Sequence, residues 1–102
     1  MKYIYLMQSL ENSNYKIGIS KHPAKRLLQL QTGNSSQLKL IDTYQSEYVH
    51  QIEKTLHRRY EHLHTEGEWF YMGINNEINF KNECKQIEEN IIILKKNGNI
   101  FI

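Results

Sequence analysis

The sequence predicts a small α+β (mixed α/β) domain, in which a three-stranded sheet that begins with an antiparallel hairpin is flanked by helices. Strand-forming residues fill two short N-terminal segments, and apolar residues recur at helical spacing further along the chain. The chain has 102 residues, 39% of them hydrophobic, which suffices for one core. We therefore expect a single domain spanning residues 1–102.

The predicted hairpin occupies the N-terminus. "YIYLM" is rich in strand-forming residues, "SLENSN" supplies turn residues, and "YKIGIS" forms the second strand. Strand alternation lets Ile4, Tyr15 and Ile17 face one side of the sheet while Tyr5 and Lys16 face the other. The hairpin is compatible with ordinary core packing and with one wall of an active site.

A helix and a third strand follow the hairpin. Ser20 can cap the helix, Pro23 suits its first turn, and Gly33 ends it. Its apolar face is predicted to consist of Leu27, Leu28 and Leu30. The segment "LKLIDTY", residues 38–44, is the third predicted strand.

A long amphipathic helix is predicted from Ser46 to about Leu63. Its buried face follows the helical period and comprises Val49, Ile52, Leu56, Tyr60 and Leu63. The helix breaks at Gly67 and a short aromatic segment, "WFYM", follows. A final helix over about residues 79–96 is expected to pack on the rest through Ile87, Ile91 and Leu94.

Titratable residues line up along the long helix, where His50, Glu53, His57, Tyr60 and His64 fall on one stripe. A glutamate with a histidine one turn away on each side can bind a divalent ion or do acid–base work. The same spacing also describes a half-exposed helix edge with no chemical role. Spacing alone favours that second interpretation.

Cationic residues gather at the start of the first helix, where the helix dipole favours anions instead. Lys21, Lys25 and Arg26 therefore indicate an anionic ligand such as a phosphate, although a solvated face explains the lysines equally well. Lys54, Arg58 and Arg59 form a second basic set on the long helix.

Composition excludes several classes of protein. The single cysteine, Cys84, rules out an internal disulfide and a multi-cysteine metal site, and we expect it to be a buried thiol. The net charge of +2 permits a nucleic-acid partner without requiring one. The longest apolar run is "IIIL", too short for a membrane span, and no signal peptide is visible. We expect a soluble intracellular protein of the cytoplasm or nucleus, without a membrane partner.

Motifs of the first half of the chain resemble those of the GIY-YIG nucleases. "YIY" at residues 3–5, "KIG" at residues 16–18 and Arg26 ten residues beyond Lys16 follow the order of that family's motifs. The pattern continues through "IEKTLH" and "GEWF" and is similar to a subgroup common in viruses and phages. It covers about residues 3–72, the predicted catalytic module. Lys16 replaces the tyrosine of the second motif, and Tyr3 replaces a glycine of the first.

The resemblance implies a role for each matching residue. Tyr5 would activate water with Lys16 as the neighbouring cation, Arg26 would bind a phosphate oxygen, and Glu53 would hold one divalent metal, Mg²⁺ or Mn²⁺. His57, one turn after Glu53, would assist proton transfer. Lys21, Lys25 and Arg58 are the expected nucleic-acid contacts, and Glu68 is a further possible site residue.

The resemblance therefore implies a metal-dependent DNA endonuclease that hydrolyses phosphodiester bonds. DNA is the expected partner, with a homodimer or a targeting protein as a possible source of specificity. Two alternatives stay open from sequence. One is a non-catalytic nucleic-acid-binding module on the same fold, and the other is a protein–protein adaptor that uses the aromatic segment. In the nuclease interpretation Trp69 and Phe70 are core residues.

Overall fold

The computed structural model describes residues 1–65 and 69–98. The elements are β1 (Lys2–Ser9), β2 (Tyr15–Ser20), α1 (Pro23–Thr32), β3 (Leu38–Ser46), α2 (Val49–Arg59), a 3-10 turn (Glu61–Leu63), β4 (Trp69–Phe70) and α3 (Ile74–Lys96). The predicted α+β class is confirmed. The sheet has four strands rather than the predicted three, because the aromatic segment after α2 pairs with β2.

The strand order in the sheet is β3-β1-β2-β4. The central strand β1 runs antiparallel to both β2 and β3, with Tyr5 opposite Gly18 and Met7 opposite Lys16. The pairing of β1 with β3 shifts register between Leu6 and Met7, which is a β-bulge. Because β2 and β3 are both antiparallel to β1, they are parallel to each other, and α1 makes the crossover between them.

The hydrophobic core lies between one face of the sheet and the helices α2 and α3. Ile4 and Leu6 of β1 and Tyr15 and Ile17 of β2 point into it, as strand alternation predicts. The helices contribute Val49, Ile52, Leu56, Tyr60, Phe80, Cys84, Ile87 and Ile91. Cys84 is fully buried, and burial raises its thiol pKa to about 12, so the expectation of an inert buried thiol is confirmed.

Helix α3 is tied to the rest of the core by tyrosine–glutamate hydrogen bonds. In each, a phenol donates to a carboxylate of α3, and the pairs are Tyr15–Glu77, Tyr44–Glu88 and Tyr60–Glu83. Burial, reinforced by the hydrogen bond to the carboxylate, raises the pKa of Tyr15 and of Tyr60 to about 12. The same causes raise the pKa of Tyr44 above its ordinary value. These bonds link β2, β3 and α2 to one helix.

Helix α1 covers the opposite face and differs from its prediction. None of its residues is buried, and Leu28, predicted to belong to its apolar face, is 69% exposed. The helix carries polar and charged residues around most of its circumference, so it rests on the sheet through a narrow stripe that includes Leu27 and Leu30, both half-buried.

Two helix boundaries also differ from prediction. Helix α2 begins at Val49 and ends at Arg59, and the residues up to Leu63 form the 3-10 turn instead. Helix α3 begins at Ile74, five residues before the predicted start, where an Asn76 carboxamide accepts the Gly73 N–H as a cap. Leu94 is 40% exposed because the buried residues of α3 end at Ile91. None of the described helices is long and apolar enough to cross a membrane.

Candidate active site

The phenol of Tyr5 lies directly against the backbone of Gly18 on the neighbouring strand. A Cβ atom built on Gly18 would lie 2.3 Å from the Tyr5 hydroxyl oxygen and 2.5 Å from the ring carbon that bears it. No side chain tolerates such distances, so only glycine permits this approach. Tyr5 is 2% exposed and belongs to the face that α1 covers. The glycine of "KIG" thus makes room for the tyrosine of "YIY".

Lys16 lies on the same face of the hairpin as this phenol, directly opposite Met7 and diagonal to Tyr5. Its side chain is buried, with 8% exposure, and its Nζ lies 6.0 Å from the centre of the Trp69 ring on β4. A cation at this distance from an indole face is attracted by the ring. Trp69 is only partly buried, so its predicted place in the core is wrong, whereas Phe70 is a core residue as predicted.

The predicted phosphate-binding cations of the first helix are all exposed. Arg26 lies on α1, and its guanidinium donates to the side chain of Gln29, 3.4 Å away. Lys21 and Lys25 are exposed at the start of the same helix. Helix α1 packs over the face that carries Tyr5 and Lys16, and these cations lie on the solvent-exposed part of the helix and just before it.

His57 of α2 fills a gap at the edge of β2. Strand β4 pairs with β2 at Tyr15 and Lys16, and the carbonyl of the following residue of β2, Ile17, lies 3.0 Å from Nε2 of His57. A carbonyl can only accept, so Nε2 carries the proton and donates, which leaves Nδ1 as the proton-accepting atom of a neutral ring. Phe70 fixes the ring edge-on, with centroids 5.1 Å apart.

Glu53 lies one helical turn before His57 and is half-buried. Helix α2 packs on the core face of the sheet, so Glu53 and His57 approach β2 from the side opposite Tyr5 and Lys16. The structure thus places two predicted residues on the outer face of the hairpin and two along α2, so one ligand can reach both pairs only at the edge of β2 beyond Lys16, where the pairing with β4 has ended. Among residues 1–65 and 69–98, no three His, Cys, Asp or Glu side chains cluster to enclose a metal ion.

An open basic cleft of about 470 Å³ adjoins His57 at the end of α2. Its lining consists of Lys54, His57, Arg58, Glu61, His64 and Phe70. Arg58, predicted to contact nucleic acid, is part of it. Lys54 and His64 were not among the predicted site residues, although His64 belonged to the stripe of titratable residues on the predicted long helix. The possible site residue Glu68 and the predicted helix break at Gly67 lie outside the described residues.

Comparison with curated proteins and with solved structures gives no significant match. The sequence model of the T5orf172 domain, in contrast, matches residues 2–91. This domain is phage-associated and belongs to a group of nuclease-like domains, which indicates a nuclease-like or DNA-binding function. The match includes the hairpin, all of α1 and α2 and most of α3. The chain therefore belongs to the T5orf172 domain family.

Proposed function

We propose that this protein is a metal-dependent DNA endonuclease of the GIY-YIG type, in which about residues 3–72 of the single domain form the catalytic module and the C-terminal helix packs on it. Family membership supports a nuclease-like or DNA-binding role. We favour a hydrolytic enzyme over a protein that only binds DNA because of the "YIY" and "KIG" motifs and the arrangement of their side chains in the hairpin.

One observation carries the proposal, namely the buried phenol and ammonium on the outer face of the hairpin. Burying a polar group, and above all a cation, costs free energy unless it is compensated. A sheet face covered by a helix could have been filled with apolar side chains at no such cost. This face instead keeps Tyr5 and Lys16 next to the buried Met7 and uses Gly18 to admit the phenol. Such an arrangement is typical of a site rather than of a core.

Each residue has a role that its chemistry supports. The phenol oxygen of Tyr5 orients the attacking water, and the Lys16 ammonium attracts the phosphate that this water attacks. Arg26 binds a non-bridging phosphate oxygen, because a planar guanidinium matches the geometry of a phosphate. To do so, it exchanges its hydrogen bond to Gln29 for one to the phosphate. His57, held through Nε2, offers Nδ1 to accept a proton. The basic cleft with Lys54 and Arg58, together with Lys21 and Lys25, binds the flanking backbone.

Glu53 is the proposed metal ligand. A single half-buried carboxylate does not suit zinc, which needs three or four protein ligands. It does suit Mg²⁺ or Mn²⁺, because Mg²⁺ keeps much of its water and shares one or two carboxylates with substrate phosphates. The donor set of the described residues therefore fits such an ion. When bound, the ion would polarise the phosphate and stabilise the leaving oxygen.

The test is nicking of supercoiled plasmid in the presence of Mg²⁺ or Mn²⁺. We expect wild type to nick, and Glu53→Gln and Arg26→Ala each to slow nicking by about a hundredfold or more, the range expected for loss of one charge-stabilising group. Glu47→Gln is the matched control for the carboxylate, since Glu47 is exposed just before α2. It is expected to nick at the wild-type rate.

Equal trace nicking by wild type, Glu53→Gln and Arg26→Ala would contradict the proposal. In that case, salt-dependent DNA binding without cleavage would assign the chain to the binding-module alternative. Thermal unfolding of each variant separates loss of chemistry from loss of fold, and Arg26→Lys shows whether charge alone suffices.

A further inference from the structure

A second cleft, distinct from the basic one, opens between the end of α2 and the first half of α3. Its volume is about 330 Å³. The lining residues are Arg59, Tyr60, Asn75, Asn76, Asn79, Asn82, Glu83 and Gln86, most of which carry amide side chains. An exposed helix face usually carries charged residues, so this concentration of carboxamides is unusual.

The amides of α3 form a ladder along one side of the helix. Asn75, Asn79, Asn82 and Gln86 follow one another at spacings of four, three and four residues. Residues at these spacings share one helix face. All of them are exposed, so their side chains are accessible to a ligand. Within the ladder, the Asn79 side-chain amide donates to the backbone carbonyl of Asn75 at 2.8 Å.

The opposite wall of the cleft is fixed by hydrogen bonds. Arg59 pairs with Glu83 at 2.8 Å, and the Tyr60 hydroxyl donates to the same carboxylate at 2.6 Å. Asn76 donates to the Tyr60 hydroxyl at 3.1 Å. These bonds hold the two helices at a set separation. The wall is therefore rigid while the amides of Asn79 and Asn82 remain exposed.

The two clefts meet at the last turn of α2, where Arg58 lines one and its neighbour Arg59 lines the other. Phosphate contacts position a nucleic acid, and contacts to base edges distinguish its sequence. The basic cleft has the charge needed for phosphate contacts. The second cleft carries mainly neutral amides, which are suited to base edges.

We propose that this amide cleft binds an unstacked adenine base of a single-stranded segment and reads its edge. This inference rests on the proposed nucleic-acid function. A carboxamide presents a donor and an acceptor side by side, and adenine offers the complementary pair through its exocyclic amino group and an adjacent ring nitrogen. The cleft is concave and its volume is at the small end of the range for ligand sites. It therefore suits a single extruded base better than a duplex.

The test measures binding of fluorescent single-stranded oligonucleotides without a divalent ion, so that cleavage does not interfere. One oligonucleotide contains adenine at alternate positions, and its counterpart contains purine, which lacks only the exocyclic amino group. We expect wild type to bind the adenine strand about tenfold more tightly, since a good bidentate pair provides discrimination of that order. The double variant Asn79→Ala/Asn82→Ala is expected to bind both strands with the wild-type affinity for the purine strand.

Asn90→Ala is the matched control, because Asn90 is an exposed asparagine of the same helix that does not line the cleft. It is expected to keep the full tenfold discrimination. Equal binding of the two strands by wild type would overturn the inference, as would undiminished discrimination by the double variant. Both outcomes leave the proposed nuclease intact. If no strand binds even at low salt, this inference is wrong, and nicking of supercoiled plasmid then decides separately whether the proposed nuclease function stands.

Discussion

Apolar side chains fill most of the face of the sheet that α2 and α3 cover, whereas the face that α1 covers buries Tyr5 and Lys16 next to Met7, beneath a helix with no buried residue of its own. The first face accounts for most of the hydrophobic stabilisation. The second face positions Tyr5 and Lys16 and contributes less apolar burial. The difference indicates that in this small domain one side of a single sheet supports most of the fold, whereas the proposed chemistry depends on the side that contributes less to the core.

The largest expected effect is on the core face. Phe80 is fully buried on α3, and Phe80→Ala should lower the free energy of unfolding by ~3–5 kcal/mol because it removes apolar contacts and leaves a cavity. Ile78→Ala on the same helix is the control, since Ile78 is 71% exposed. Urea denaturation measures both. If Phe80→Ala lowered the free energy of unfolding by less than Ile78→Ala does, the proposed difference between the two faces would be wrong.

A smaller effect is expected where the two strands meet on the α1 face. Gly18→Ala would place a methyl group 2.3 Å from the Tyr5 hydroxyl, and relieving the clash should cost ~1–3 kcal/mol of stability. Gly33→Ala is the matched control, because nothing lies within 4 Å of its added Cβ. Combining Gly18→Ala with Tyr5→Ala should cost less than the sum of the single changes, since the small side chain removes the clash.

Strict additivity of Gly18→Ala and Tyr5→Ala would contradict the contact between phenol and glycine. Nicking assays on the same proteins extend the test. Displacing the phenol should lower the nicking rate even under conditions in which the variant stays folded. Gly33→Ala should leave both unchanged.

The tyrosine–glutamate bonds predict how the core face responds to pH. The pKa of Tyr15 and of Tyr60 is raised to about 12 in the folded protein, against about 10 in the unfolded chain. A raised tyrosine pKa favours the neutral phenol in the folded state. Its contribution to stability is therefore complete below pH 10 and is lost as pH rises through about 12. Urea denaturation between pH 9 and pH 12 should show this decline, which Tyr15→Phe should make shallower.

The smallest effect is expected on the outer helix. Leu28 is 69% exposed, so Leu28→Ala should change the free energy of unfolding by no more than about 0.5 kcal/mol. A loss above 2 kcal/mol, of the size seen for buried leucines, would mean that α1 is anchored as firmly as α3. Far-UV circular dichroism should confirm that the variant keeps its helix content.

Sequence periodicity predicted the elements that carry a strong pattern. The hairpin, α2 and the buried stripe of Val49, Ile52 and Leu56 are examples, because alternation and the helical period follow directly from burial on one face. The fourth strand was missed because two residues carry no periodicity. The apolar face of α1 was overestimated, since leucine spacing shows which side can be buried and not whether the sheet offers enough surface to bury it.

The candidate site was predictable only in part. The "YIY" and "KIG" motifs indicated Tyr5 and Lys16, yet the contact between Tyr5 and Gly18 depends on cross-strand register. His57 was selected for its position after Glu53, but its hydrogen bond to Ile17 depends on β4 being short enough to leave that carbonyl unpaired. The amide cleft is formed by residues of α2 and α3, which are distant along the chain, so no local sequence pattern predicts it.

The unequal lengths of the two outer strands affect how the protein avoids self-association. Strand β4 has two residues and offers little backbone for a second chain to pair with, but β3 has nine. A long outer strand is a template for edge-to-edge pairing between molecules. The register shift opposite Leu6 and Met7 interrupts the regular ladder of β3, and charged Lys39 and Asp42 lie along it. The bulge and these charges both make β3 a poorer template for pairing with the strand of another molecule.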